Sequence, residues 1–333
     1  GSVNLGKTIT DFRIAIENGR PLPEINRYGA DLKKMLIDPA GDVINGASNL
    51  IIVTDGPLSY LPFEVLPRGN GYLISDFNLK YVPSMTVYSL LPGKRTAYDR
   101  DIFILSNPEF GDLEQYSSFV NTPLTRLPHT RIEADSVASR FSGATRYHGA
   151  AATGAVIKAH DLSRYRYIHL ATHGIINMQH PRMSGLVLAS SGQGSPGDND
   201  AFLRVPEIHT LKLNADLVVL SACNTGLGQI LKGEGVLGLQ RAFFLAGSSS
   251  VMSSLWPVQD RSTASLMARF YRELHRLGDQ DNTWRYRMAG WFSNEPDKFG
   301  HKARALRNAK LEMINDPRFS HPRQWGGFVV HGR

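Results

Sequence analysis

The chain has 333 residues, 42% of them apolar and 20% charged, which excludes a disordered or fibrous protein and leaves enough apolar side chain for a substantial core. Lysine plus arginine exceed aspartate plus glutamate by 37 to 30, a net +7 spread without any run of five basic residues. A solvated basic surface accounts for that excess, and a nucleic acid is not expected as the direct ligand.

The length allows two or three compact units. One cysteine excludes an internal disulfide, and with no secretion signal it points to a reducing, cytoplasmic setting. The longest apolar runs fall far short of a membrane span, so no membrane association is expected. Gly1-Ser2 reads as an expression scar, with natural chain expected upstream.

In chain order, "ITDFRIAIENG" (Ile9 to Gly19) has helical spacing and a glycine stop, and "GADLKKMLIDP" (Gly29 to Pro39) a second helical pattern ended by proline. "NLIIVTDGPLSYLPFEVLP" (Asn49 to Pro67) reads as a strand, a Gly-Pro turn and a short extended or helical piece. "LISDFNLKYVPS" (Leu73 to Ser84) alternates as a strand does. "GKRTAYDRD" (Gly93 to Asp101) is a polar linker and the candidate internal boundary.

Beyond it, strand and helix patterns alternate. A strand from Asp101 precedes helices at His129 to Phe141 and Gly149 to Leu162. Strands follow at Tyr165 to Gly174 and Ser184 to Ser190, then a Gly- and Ser-rich loop to Asp200. "VPEIHTLKL" reads as a short helix and "DLVVLSAC" as a strand. Gly233 to Gly247 is helical, Ser249 to Trp256 a strand, and Asp260 to Gly278 and His301 to Asp316 are helices. "RQWGGFVVHG" closes the series as a strand. No internal repeat is visible. The alternation predicts an α/β fold with a mostly parallel central sheet flanked by helices.

Two short motifs fail on context. "GSVNLGKT" has the glycine and Lys-Thr spacing of a phosphate loop, but no strand precedes it. "HLATH" spaces His169 and His173 as zinc ligands on a helix, yet the glutamate position holds Leu170. The segment reads as a strand, where four residues span about 13 Å, too far to share a metal. No metal or cofactor is expected. The serine-hydrolase elbow is also missing.

One pair survives. "YIHLATHG" is an apolar strand ending on His173 and Gly174; "DLVVLSACNTG" is an apolar strand ending on Cys223 and a polar turn. In a parallel sheet both would lie at the carboxyl edge, where α/β sheets hold ligands. A thiol can attack a peptide carbonyl while a nearby histidine handles the proton. The backbone N–H groups of Gly174 and Cys223 are the candidate oxyanion hole. Taken singly, each side chain reads more simply as structural, since a lone cysteine is often a small buried hydrophobe. Taken together, two such residues at strand ends point to a dyad. Their separation, 223 − 173 = 50 residues, equals the interval of about 50 known in caspases.

With these segments on view, the sequence resembles the CHAT domain, a caspase-like peptidase family often fused to tetratricopeptide repeats and related to separase. "YIHLATHG", "LVVLSACNTGLG", "GEGVLGLQRAFFLAGSSSVMSSLWPVQD" and "HPRQWGGFVVHG" carry the resemblance, and "LIIVTDGPLSYLPFEVLP" resembles the family's amino-terminal half; together they run from about Asn49 to Gly332. The cysteine motif, Ser-Ala-Cys-Asn-Thr-Gly, departs from the Gln-Ala-Cys-x-Gly of caspases, so an aspartate-specific pocket is not implied. The resemblance implies a cysteine endopeptidase with a His173–Cys223 dyad. It also implies a helical lead-in over 3–45, a degenerate caspase-like half over 46–98 and an active half over 99–333.

By the same resemblance, Asp260 in "LWPVQD" stands where separase-like enzymes hold a basic P1 side chain, with Glu234 a second candidate for that pocket. Each also has a plain structural reading: Asp260 as a helix cap, Glu234 as a favourable charge in a first helical turn. The expected partners are a protein substrate and an activating or repeat-containing protein. The glycine-rich stretch from Asn224 to Gly235 is the expected point of control. A non-catalytic caspase-like scaffold, and another thiol hydrolase or acyl transferase, remain open alternatives.

Overall fold

The computed structural model describes residues 4–92, 98–110, 126–177, 180–190, 201–221, 234–282 and 300–333. The chain opens with α1 (Leu5–Glu17), where the Asn4 side chain accepts the Lys7 N–H as an N-cap. Helix α2 (Leu22–Leu36) follows Pro21 and packs back on α1. Gly29, expected near a helix start, lies inside α2 because the helices approach closely there. A methyl group on it would sit 3.1 Å from the Phe12 ring and 2.8 Å from Pro67. Lys7, of the failed phosphate-loop match, lies in α1 and pairs with Asp11 at 3.0 Å.

After the single turn α3 (Gly41–Ile44) come β1 (Asn49–Val53), the hairpin β2 (Pro67–Arg68) and β3 (Gly71–Tyr72), the turn α4 (Leu73–Asp76), β4 (Asn78–Val82) and α5 (Met85–Leu90). The expected strand from Leu73 to Ser84 is therefore two elements. Its first four residues are helical because Ser75 Oγ accepts the Tyr72 N–H, and Arg307, far away in sequence, donates to the carbonyls of Ile74 and Ser75.

The remaining elements are β5 (Arg100–Pro108), α6 (Pro128–Ala138), β6 (Ala144–Gly149), α7 (Gly154–Ala159), β7 (Tyr165–Ala171), β8 (His173–Ile175), β9 (Gly185–Val187), β10 (Phe202–Arg204) and α8 (Val205–Thr210). They continue with β11 (Leu217–Leu220), α9 (Glu234–Leu245), β12 (Ser250–Ser254), α10 (Asp260–Asn282), α11 (His301–Ile314), α12 (Pro322–Trp325) and β13 (Phe328–Gly332). The helix expected over Gly149 to Leu162 shrinks to α7, which begins only where Thr153 Oγ1 accepts the Val156 N–H.

Eight strands form the central sheet in the order β1-β4-β13-β12-β11-β7-β5-β6. Every neighbouring pair is parallel except β12 and β13. The expected α/β architecture, a mostly parallel sheet flanked by helices, is the one observed. The sheet is continuous from β1 to β6, and β1 and β4, from the 46–98 stretch, join it beside β13.

Parallel sheets need both faces covered, which is why the central strands β5, β7 and β11 carry near-continuous apolar runs. Ile102, Ile104, Leu217 and Val219 face one core with α1, α2, α6, α10 and α11. Phe103, Leu105, Val218 and Leu220 face the other with α7, α8 and α9. In the first core, fully buried Lys310 of α11 lies 3.3 Å from Glu64 Oε1, and Tyr81 donates to Glu64 Oε2 at 2.5 Å. Among the described residues, no helix is long and apolar enough to cross a membrane.

Candidate active site at the carboxyl edge of the sheet

Strand β7 lies between β5 and β11 with all three parallel. Ala171 is level with Ser106, and Leu170 with Leu220. Their carboxyl ends therefore lie side by side at the sheet edge where ligands are bound in this architecture.

The expected single strand from Tyr165 to Gly174 is broken at Thr172, whose hydroxyl donates to the Val187 carbonyl. His173 is not the last residue of the long strand. It is the first of β8, in a small antiparallel sheet ordered β10-β9-β8. His173 pairs with Val187, and Val187 with Phe202, so these three share a face. Gly174, level with Leu186 and Leu203, belongs to the opposite face, whose leucines pack into the second large core. His173 is 3% exposed.

Asp260 is the first residue of α10 and is half-buried. Its Oδ2 accepts the His129 N–H at 2.9 Å, across to the first turn of α6. Burial pushes its carboxyl pKa up; the His129 N–H and the charge of His129 pull it down, Glu133 pushes it up again, and His173 pulls it down. The structure thus brings Asp260 and His173 within electrostatic reach of each other.

Ser221 is buried just beyond β11. Cys223 lies outside the described residues, as do Asn224 and the rest of the glycine-rich stretch up to residue 233. Glu234 opens α9, and its side chain also lies outside the described residues.

His169, the discarded zinc candidate, has another role. Its Nε2 is 2.9 Å from Glu133 Oε1, near enough for an ion pair although off the axis of a straight hydrogen bond. Its Nδ1 is 3.2 Å from the Tyr271 hydroxyl. All three side chains are buried. Glu133 sits in α6 and Tyr271 in α10, so no local pattern announces the cluster. His169 and His173 belong to different sheets. Among the described residues, no group of three or more His, Cys, Asp or Glu side chains is placed to hold a metal.

The profile of the CHAT domain matches residues 26–333. The chain belongs to the CHAT domain family. This CHAT domain is 24% identical over 330 residues to tetratricopeptide repeat protein 28 of Mus musculus, and 24% identical over 327 residues to the protein of the same name in Homo sapiens. Each match covers 85% of this chain and 12% of the relative, so the chain spans a small part of their length.

Among solved structures, the CHAT domain is similar to one in the complex of Porphyromonas gingivalis RgpB pro- and mature domains. The TM-score is 0.50 at 11% identity, covering 98% of this chain and 75% of that one. It is also similar to one in the Saccharomyces cerevisiae separase–securin complex, with a TM-score of 0.47 at 16% identity, covering 85% of this chain and 15% of that one. At such identity the first likeness shows the fold alone, a caspase-like one.

Proposed function

We propose that this CHAT domain is a cysteine endopeptidase in which Cys223 is the nucleophile and His173 the proton carrier. The observation that supports it best is that His173 is buried and follows closely on the carboxyl end of β7, which lies level with the end of β11, the strand that precedes Cys223 in the sequence. In this reading His173 takes the thiol proton and the thiolate sulfur bonds to the substrate carbonyl carbon. The N–H groups of Gly174 and Cys223 hold the oxyanion, a contribution of about 3 kcal/mol per donor in comparable sites. The imidazolium then protonates the leaving amine, and water, deprotonated by the same imidazole, hydrolyses the thioester.

The proposal extends to a basic residue at P1. Asp260 has Oδ2 committed to His129, and Oδ1 is the oxygen a guanidinium would meet. Glu234 is the second candidate for that pocket. Because the curated relatives are tetratricopeptide repeat proteins of much greater length, control by a repeat-bearing region or partner is part of the proposal, as is a reducing, cytoplasmic setting.

Cleavage-site mapping on a proteome, comparing the chain with its Cys223→Ala variant, tests the reading. Cleavage after arginine or lysine, lost in the variant, is the expected result. Cleavage that persists without the thiol would remove Cys223 from the mechanism. No cleavage, even with a repeat-containing partner added, would favour a scaffold with a caspase-like fold.

A further inference from the structure

His173 lies under an aromatic ring. The Phe110 ring centroid is 5.1 Å from that of the imidazole, with the planes inclined at 39°. Phe110 is half-buried and packs on the small apolar cluster of Ile175, Val187, Ala201 and Phe202. Val187 and Phe202 are the residues that share the His173 face of the small sheet. The imidazole is thus seated on one apolar surface and covered by a second.

The chain reaches this position through a left-handed bend. Asn107, near the end of β5, has φ 44, the one positive φ at a non-glycine residue among those described. The β5–β6 register shifts between Ser106 and Pro108, and the Glu109 N–H is tied to the Gly149 carbonyl at 3.2 Å. Asparagine is among the few non-glycine residues that adopt this left-handed conformation readily, and such positions often lie beside functional sites. Here the bend ends the strand and delivers Phe110 to His173.

We propose that Phe110 is a positioning residue for His173, holding the imidazole plane so that one ring nitrogen faces the cleft. The χ2 torsion of histidine is broad and roughly two-fold, so packing can decide which edge faces outward. A proton carrier a small distance out of place loses much of its rate, up to about a hundredfold. The catalytic consequence rests on the peptidase reading above; the positioning itself does not.

The test uses the whole chain with labelled histidines and the variants Phe110→Ala, Phe110→Leu and Phe110→Tyr, with His173→Gln to assign the imidazole signals. In the Ala and Leu variants the His173 ring-proton resonances lose the ring-current shift and broaden, while Tyr keeps them. Turnover of a substrate found by cleavage mapping drops about tenfold or more in kcat with KM unchanged, and Tyr restores it. Resonances that stay as sharp as in the wild type in a folded Leu variant would overturn the proposal whatever the activity, since the shift alone is lost with the ring. A raised KM at constant kcat would also overturn it, making Phe110 a substrate contact. If the wild-type chain cleaves nothing even with a repeat-containing partner added, the peptidase reading fails, and the line widths of the resonances still decide whether Phe110 holds His173.

Discussion

Asp260 Oδ2 accepts the His129 N–H at 2.9 Å, joining the start of α10 to the first turn of α6. Leu127, at the N-cap position of α6, makes no side-chain capping bond, so this carboxylate satisfies one N–H of the α6 start from a distant part of the chain. Asp260→Ala should therefore lower stability by about 1 kcal/mol. Asp260→Asn keeps an oxygen acceptor and should unfold close to wild type, while cleavage after arginine and lysine falls by at least an order of magnitude. Denaturant unfolding and peptide-library profiling of both variants check the two halves separately. Unchanged P1 preference in Asp260→Asn would remove the residue from substrate binding.

His331 gives the fold an acid-sensitive element. Burial alone lowers its pKa from 6.5 to about 3, so the folded chain keeps it neutral where the unfolded chain protonates it. Stability from this group is fully present above about pH 6.5 and is lost as pH falls towards 3, by up to about 1.4 kcal/mol per pH unit. Replacing it with phenylalanine should make the decline of Tm between pH 7 and pH 4 shallower. Equal slopes for the variant and the wild type would show that other groups set the acid limit.

Lys310 and Glu64 tie α11 to the segment between β1 and β2 inside the first core, with Tyr81 completing the group. Burial lowers the Lys310 pKa, against the opposing pull of Glu64, and burial with the neighbouring Glu64 raises that of Tyr81 far above its usual range. Lys310→Ala leaves the carboxylate buried without its cation and should cost about 3–5 kcal/mol. Lys310→Met combined with Glu64→Gln should recover most of that loss, since Gln still accepts from Tyr81. Urea unfolding of the single and double variants measures the coupling; simple additivity would mean there is none.

Gly185 lies in the middle of the small sheet that carries His173. A methyl group there would sit 2.3 Å from the Leu203 carbonyl oxygen, a backbone atom that cannot swing aside. Gly185→Ala should force β9 and β10 apart, cost roughly 2 kcal/mol, and reduce turnover more than its effect on stability explains. Thermal melts alongside kcat for the same preparation decide this. Wild-type turnover would mean that the His173 position does not depend on this sheet.

Much of the frame is legible in the amino-acid order. The apolar runs of β5, β7 and β11 mark buried parallel strands, and the helices between them show their stops and starts. Residue type also singles out His173 and Cys223 as candidates, although His173 opens β8 instead of ending β7 and Cys223 lies outside the described residues. The break at Thr172 is not legible: Ala171, Thr172, His173 and Gly174 are all buried, so no change of pattern marks where one sheet ends and another begins. The helical turn at Leu73 is equally hidden, because its carbonyls are held by Arg307 from the far end of the chain.

By itself, then, the sequence determined the layer architecture and the chemical types available at the carboxyl edge, because strand and helix periods and side-chain chemistry are local properties. Tertiary structure alone decided that His173 starts a separate sheet, that Phe110 covers its ring, that Asp260 bonds to α6, and that His169 pairs with Glu133. Each of these joins residues on different elements. Contacts of that kind leave no period in the chain, since they arise only when the faces of separate elements are packed together.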